Sequence, residues 1–91
     1  MIKISGNDVY DNGVKIGWIE DNDIMDRESH KLGYFSGNDI FNISGIKLGY
    51  IEGDELIMSN GKIILFENLK SRVQGSANNI IRAAIYVFFG E

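Results

Sequence analysis

The feature that most constrains this chain is an internal repeat of about 16 residues, which occurs four times between residues 4 and 66. The four segments begin at Ile4, Glu20, Ser36 and Glu52. Lysine recurs at one position of each segment, at Lys15, Lys31, Lys47 and Lys62. A glycine followed by a large aromatic ring recurs at Gly17–Trp18, Gly33–Tyr34 and Gly49–Tyr50. Because several columns stay in step, each segment must fold as one copy of the same supersecondary unit.

Each repeat is typical of two short strands joined by a tight turn. The first strand reads Asp8-Val9-Tyr10-Asp11 in the first copy, and the second reads Lys15-Ile16-Gly17-Trp18-Ile19. β-Branched and aromatic residues favour strands, and glycine and asparagine in the tips favour hairpin turns with positive φ. The chain contains no proline, which agrees with strands in which nearly every backbone N–H is needed for pairing. We therefore predict four hairpins with about eight strands.

The glycines inside the second strands, Gly17, Gly33 and Gly49, need a reason, since glycine normally weakens a strand. We expect close approach at these positions, with an aromatic ring or a stretch of backbone packed where the side chain is missing.

The repeat register ends after Phe66, and residues 70–75 are expected to be a linker. Residues 76–90 are predicted to form a helix with Ser76 as N-cap and Gly90 at its C-terminal end. This helix is apolar nearly all round and needs burial on several sides. A strand over Ile85–Phe89 is the alternative. The helix could cover its own hairpins, a second copy or a membrane.

The alternating Asp-Val/Ile and Lys-x-Gly-aromatic units resemble the four-fold β-flower family, in which hairpins are arranged like petals about a pseudo-symmetry axis. The stretches Ser44–Glu52 and Ser59–Glu67 are similar to its last two petals, and Arg82–Phe89 is similar to the ending of five-fold relatives. The second petal departs from the pattern, since Arg27-Glu28-Ser29-His30 lacks the tip glycine. The resemblance implies a mainly β single domain with hairpins over residues 1–69 and an apolar C-terminal helix. It implies no catalytic residue.

Composition excludes several kinds of site. The chain has no cysteine and a single histidine, His30, so thiolate chemistry and multi-histidine metal sites are excluded. We therefore expect no cofactor, no metal and no enzymatic activity. The formal net charge is −4, and an acidic surface disfavours nucleic acid. We expect a cytoplasmic protein, because no secretory leader is evident and cysteine is absent.

A pseudo-four-fold arrangement would convert each column into a ring. The four lysines, Lys15, Lys31, Lys47 and Lys62, could hold an anion, or they could pair with the acids at Asp8, Asp23, Asp39 and Glu55 on solvated hairpins. The rings of Trp18, Tyr34 and Tyr50 could stack on a sugar or base, or they could pack within the protein. We favour packing and pairing in both cases.

The function that the sequence favours is a non-catalytic structural or self-association module. We expect a homo-oligomer that forms through the tail, with Ile81, Ile85, Phe88 and Phe89 as contact residues. One alternative is a module that binds a small ligand or a protein through the hairpin face, although no ligand class is indicated. The other is peripheral membrane association through the helix. It ranks last, because Arg82 is the only basic residue on that helix.

Overall fold

The computed structural model describes residues 1–90 as one ten-stranded sheet with two short helices and a terminal π-helical turn. The strands are β1 (Ile2–Ser5), β2 (Asp8–Asp11), β3 (Val14–Glu20), β4 (Asp23–Asp26), β5 (Lys31–Ser36), β6 (Asp39–Asn42), β7 (Lys47–Glu52), β8 (Glu55–Met58), β9 (Ile63–Leu65) and β10 (Val73–Gly75). The helices are α1 (Phe66–Arg72) and α2 (Asn79–Ile85), and the π-helical turn covers Tyr86–Gly90. Strands β1 to β9 form an antiparallel meander, and β10 returns to pair in parallel with β1.

The four predicted hairpins are confirmed as β2–β3, β4–β5, β6–β7 and β8–β9. The second hairpin keeps its turn without a tip glycine. Ser29 adopts φ 69° there, whereas Gly45 and Gly61 adopt φ 81° and 93° in the two hairpins that follow. A serine in this left-handed region is strained, and the surrounding pairing therefore sustains the turn.

A β-bulge distinguishes the first three hairpins from the fourth. In the first, Val9 lies opposite Gly17 and Tyr10 opposite Lys15, so Ile16 is an extra residue on β3. The same register shift occurs in β4–β5 and β6–β7, whereas β8–β9 pairs without it.

The missing bulge corrects the predicted lysine column. Ile63, opposite Ile57, occupies the place of Lys15, Lys31 and Lys47. Lys62 accepts a hydrogen bond at its backbone carbonyl from Met58 N–H, and so takes the turn position that His30 and Ile46 hold in their hairpins. The alignment of the repeats placed Lys62 in the lysine column because the missing bulge residue can also be aligned as a one-residue gap in the turn. In the sheet, the bulge residue sets the register.

The inner face of the sheet, defined by the buried side chains of Val9, Ile24, Ile40 and Leu56, is packed against the tail. Ala83, Ala84, Ile85 and Tyr86 belong to the same buried cluster. The apolar helix therefore covers its own hairpins, because the helix and the inner faces of the hairpins both have apolar surface that is removed from water when they pack together.

The tail departs from the prediction in two places. Residues 70–75 are not a linker, since they hold the end of α1 and all of β10. Asn78 rather than Ser76 caps α2, and its Oδ1 accepts a hydrogen bond from Ile81 N–H at 3.0 Å. The predicted helical structure of residues 85–89 is confirmed, and the alternative strand over Ile85–Phe89 is not formed.

Strand β10 and the buried side chain of Arg82 join the tail to the start of the sheet. The Arg82 guanidinium donates to the backbone carbonyls of Val73 and Gly75, the latter at 2.8 Å. Gly75 has φ 102°, and a Cβ there would lie 2.0 Å from the carbonyl oxygen of Ile4. A glycine is therefore required at the point where β10 meets β1.

Candidate functional site

The outer face of the sheet carries three copies of one polar unit. Lys15 Nζ lies 3.0 Å from Asp8 Oδ1 and 5.4 Å from the centroid of the Trp18 ring. Lys31 contacts Asp23 at 3.1 Å and the Tyr34 ring at 4.9 Å, and Lys47 contacts Asp39 at 3.0 Å and the Tyr50 ring at 4.9 Å. Each lysine is roughly half exposed, so each pair contributes at most about 1 kcal/mol.

These contacts use the groups that an anion ring or a stacking platform would need. Each ammonium group already has a carboxylate partner and lies over one face of its ring. The Tyr34 ring also stacks on Phe41, with centroids 5.1 Å apart and ring planes 20° apart. Trp18 lies opposite Met25, and Tyr50 lies opposite Ile57. The three rings are half-buried within the sheet and hold neighbouring hairpins together.

The fourth lysine is tied to the tail rather than to a petal acid. Lys62 Nζ donates to Tyr86 Oη at 3.2 Å and lies 5.8 Å from the centre of that ring. Tyr86 thus stands in for the aromatic ring that the fourth petal lacks, since Leu65 follows where the other petals carry Trp or Tyr. Tyr86 could not be predicted as the partner of Lys62, because nothing in the repeat links the tail to a single petal.

Two of the three strand glycines, Gly17 and Gly33, form sockets, where a ring of the tail packs into the space left by the missing side chain. A Cβ on Gly33 would lie 2.3 Å from Phe88 Cζ, and a Cβ on Gly17 would lie 2.8 Å from Phe89 Cζ. The expected close approach is present, and the rings come from the C-terminal segment rather than from a petal. At Gly49 the corresponding neighbour is Met58, whose Sδ would lie 3.5 Å away.

The residues predicted for self-association are therefore used within the chain. Ile85 is fully buried in the core. Phe88 and Phe89 fill the glycine sockets, and Ile81 is half-buried against the same cluster. These four side chains do not form a free apolar face.

Titratable groups are dispersed over the surface. The part of the chain that the structure describes has no group of three or more acidic or histidine side chains able to hold a metal ion. His30 lies at the second tip, where its Nδ1 is 3.2 Å from Asp26 Oδ2. The backbone N–H of His30 donates to Asp26, and this bond lowers the pKa of the Asp26 carboxyl. An open cleft of 540 Å³ is lined by Asp54, Leu65, Phe66, Glu67 and Lys70.

Exposed aliphatic side chains concentrate at one end of the sheet. In an antiparallel meander alternate turns lie at the same end, so the four hairpin tips form one edge, which we call the tip rim. The described residues expose six large hydrophobic side chains, and five of them lie at this rim: Met1, Val14, Ile43, Ile46 and Ile63. The sixth, Leu65, follows on β9. An apolar residue beside a polar turn was the sequence signal for this surface.

The fold thus defines a small hairpin-repeat protein whose inner face is filled by its own tail. The family model described as "4-fold beta flower protein" matches residues 7–85, and the chain belongs to this family. It is not a known enzyme family. No curated protein and no solved structure gives a significant match. Within residues 1–90, no helix is long and apolar enough to cross a bilayer.

Proposed function

We propose that this chain is a non-catalytic module that binds another protein through its tip rim. The observation that carries the proposal is the clustering of exposed aliphatic side chains, with Ile43 66% and Ile46 61% exposed. Single exposed apolar residues are ordinary, but a group on one edge of a small protein marks an interaction surface.

The energetics favour the rim over the other surfaces. Covering each aliphatic side chain removes apolar area from water and contributes about 1 kcal/mol at the half-exposed positions. On the outer face the lysines already cover the rings, and on the inner face the tail occupies the sockets. The rim is the apolar surface that these contacts leave uncovered.

A homo-oligomer that forms through the same rim is the second candidate. The observation in its favour is that the first and third hairpins expose an aliphatic residue at the equivalent tip position, Val14 and Ile46, which suits contact between identical copies. The tail offers little free apolar surface for self-association or membrane attachment, because Ile85 is fully buried and the phenylalanines fill the sockets.

The test is affinity capture with a matched pair of double variants. The chain is immobilised and exposed to a lysate of the cells that express it, and the captured proteins are quantified by mass spectrometry. Ile43→Asp with Ile46→Asp adds two negative charges at the rim, whereas Gln74→Glu with Asn79→Asp adds two charges on the exposed side of the tail. Amide NMR spectra check that both variants fold.

We expect the rim variant to lose a specific partner that the wild type and the control variant retain. Equal capture by all three proteins would contradict the proposal. Sedimentation of each protein at micromolar concentration distinguishes the homo-oligomer from binding to a different protein. If the wild type and the control variant are dimers and the rim variant is a monomer, the partner of the rim is a second copy of the chain.

A further inference from the structure

Strand β9 is one of the two edge strands of the sheet, with β10 at the other end, and it breaks the pattern of the other three petals. Where the equivalent strands carry Lys31 or Lys47 on the outer face, β9 carries Ile63, which is 55% exposed. Where they carry an aromatic ring, it carries Leu65, which is 41% exposed. Native edge strands are usually protected by charges, especially lysine. This one has lost its lysine and gained aliphatic residues.

The backbone of β9 also directs unused hydrogen-bonding groups away from the sheet. Met58 N–H donates to the Lys62 carbonyl, and Phe66 N–H donates to the Asp54 carbonyl. Antiparallel pairs alternate, so Ile63 and Leu65 lie at the intervening positions, whose N–H and C=O groups point away from β8. Leu65 is the N-cap of α1, so its carbonyl belongs to the helix. The Ile63 N–H, the Ile63 C=O and the Leu65 N–H have no backbone partner within residues 1–90.

Within residues 1–90, the acidic side chains around this edge form no ion pair, and they outnumber Lys70, the basic residue that lines the same cleft. The column acids of the first three petals, Asp8, Asp23 and Asp39, each hold a lysine. Within the described residues, the fourth column acid, Glu55, forms no ion pair, and neither do Asp54 and Glu67 beside the cleft. A segment that lies along β9 therefore meets carboxylates that can pair with basic side chains, as well as aliphatic side chains.

From this juxtaposition we infer that β9 is a docking edge that takes an extended basic segment of a partner protein as an eleventh strand. Aliphatic side chains of the segment pack on Ile63 and Leu65, its backbone pairs with the three outward groups, and its lysine or arginine side chains meet Glu55, Asp54 and Glu67. The inference rests on the proposed function and specifies the chemistry of the partner. The short strand gives few contacts, so we expect a dissociation constant on the order of 100 µM.

The test uses a nine-residue peptide of alternating lysine and valine, with blocked termini and a fluorescent label. Its binding to the full chain is followed by fluorescence anisotropy and by amide NMR. Two control peptides accompany it, one with glutamate in place of lysine and one with alternate backbone amides N-methylated. Ile63→Lys restores the residue of the other petals, and Asn22→Lys is the matched control, since it makes the same charge change at an exposed turn residue outside the tip rim and away from β9.

We expect the Ile63→Lys variant to bind the peptide about tenfold more weakly than the wild type, and the Asn22→Lys variant to change affinity less than twofold. Amide shifts should centre on Ile63 and Leu65, and both control peptides should bind at least tenfold more weakly. Equal binding of the N-methylated peptide, equal effects of the two lysine variants, or shifts away from β9 would each overturn the inference. A wild-type dimer that the Ile63→Lys substitution dissociates would also overturn the inference, because the segment bound at β9 would then belong to a second copy of the chain.

The two proposals fail separately. If the Ile43→Asp, Ile46→Asp variant loses its captured partner and Ile63→Lys does not, the rim binds and the edge does not. If neither variant changes capture and the peptide does not bind, both proposals fail.

Discussion

Replacement of Gly33 by alanine should destabilise the fold strongly, because its Cβ has no room on two sides. It would lie 2.3 Å from the Phe41 carbonyl oxygen and 2.3 Å from Phe88 Cζ. Both neighbours must move by about 1 Å to restore ordinary contact, and one of them is the backbone of the adjacent strand. Overpacking of this kind lowers the free energy of unfolding by about 3 kcal/mol. This value includes the smaller stabilisation that alanine gives by restricting the conformations of the unfolded chain.

Gly49→Ala is the matched control for this experiment. The new Cβ there meets the Ile57 carbonyl oxygen at 3.0 Å and Met58 at 3.5 Å, so small adjustments suffice and we expect about 1 kcal/mol. The assay is urea unfolding followed by the fluorescence of Trp18, the single tryptophan, with far-UV circular dichroism as a second probe. For a slope of about 1.5 kcal/mol/M, Gly33→Ala lowers the midpoint by about 2 M.

A double-mutant cycle with Phe88→Ala tests the socket itself. The single Phe88→Ala variant should lose about 2 kcal/mol, because the ring is half-buried. The double variant should be more stable than the sum of the two losses predicts by at least about 1 kcal/mol, because removal of the ring gives the new methyl group space on one side. Equal effects of Gly33→Ala and Gly49→Ala, or additive effects in the cycle, would refute the argument that the glycines are sockets for the tail.

Three further predictions use the same unfolding assay. The pKa of Asp26 is lowered in the folded state, so its ionised form contributes stability at neutral pH that is lost as the pH falls below about 4 through the folded pKa. Asp26→Asn should keep the tip turn, as Asn42 does in the third petal, and should reduce the loss of stability in acid. An unchanged dependence of stability on acid pH would contradict the prediction. Arg82→Met leaves the Val73 and Gly75 carbonyls without their donor and should cost about 2 kcal/mol, and wild-type stability would show that the guanidinium does not hold β10. Lys47→Met removes one exposed ion pair and should change the free energy of unfolding by less than about 1 kcal/mol, and a larger loss would mean that the polar units of the outer face stabilise the fold more than exposed pairs do.

The hairpins were predictable because their information is local. β-Branched and aromatic residues specified the strands, and glycine and asparagine at the tips specified the turns. The lysine column was predicted correctly for three petals and wrongly for Lys62, because a bulge and a one-residue gap look the same in an alignment.

The tail was harder to predict because its structure depends on distant partners. Residues 73–75 are short and polar, and they form a strand because β1 offers a parallel partner. The N-cap moved from Ser76 to Asn78, and both residue types are good caps, so the position at which the helix packs on the sheet selects between them. Ile85–Phe89 has strand-forming residues, and burial against the inner face keeps it helical.

The sequence by itself determined a four-fold hairpin repeat, the need for close approach at Gly17, Gly33 and Gly49, and an apolar helix that must be buried. Only the tertiary structure decided that the helix fills its own sheet, that Phe88 and Phe89 occupy two of the sockets, and that β9 is left as an edge with Ile63 and Leu65 exposed. The physical reason is that periodicity specifies which face of each strand is apolar. What covers that face depends on the volume and shape of segments far apart in the chain.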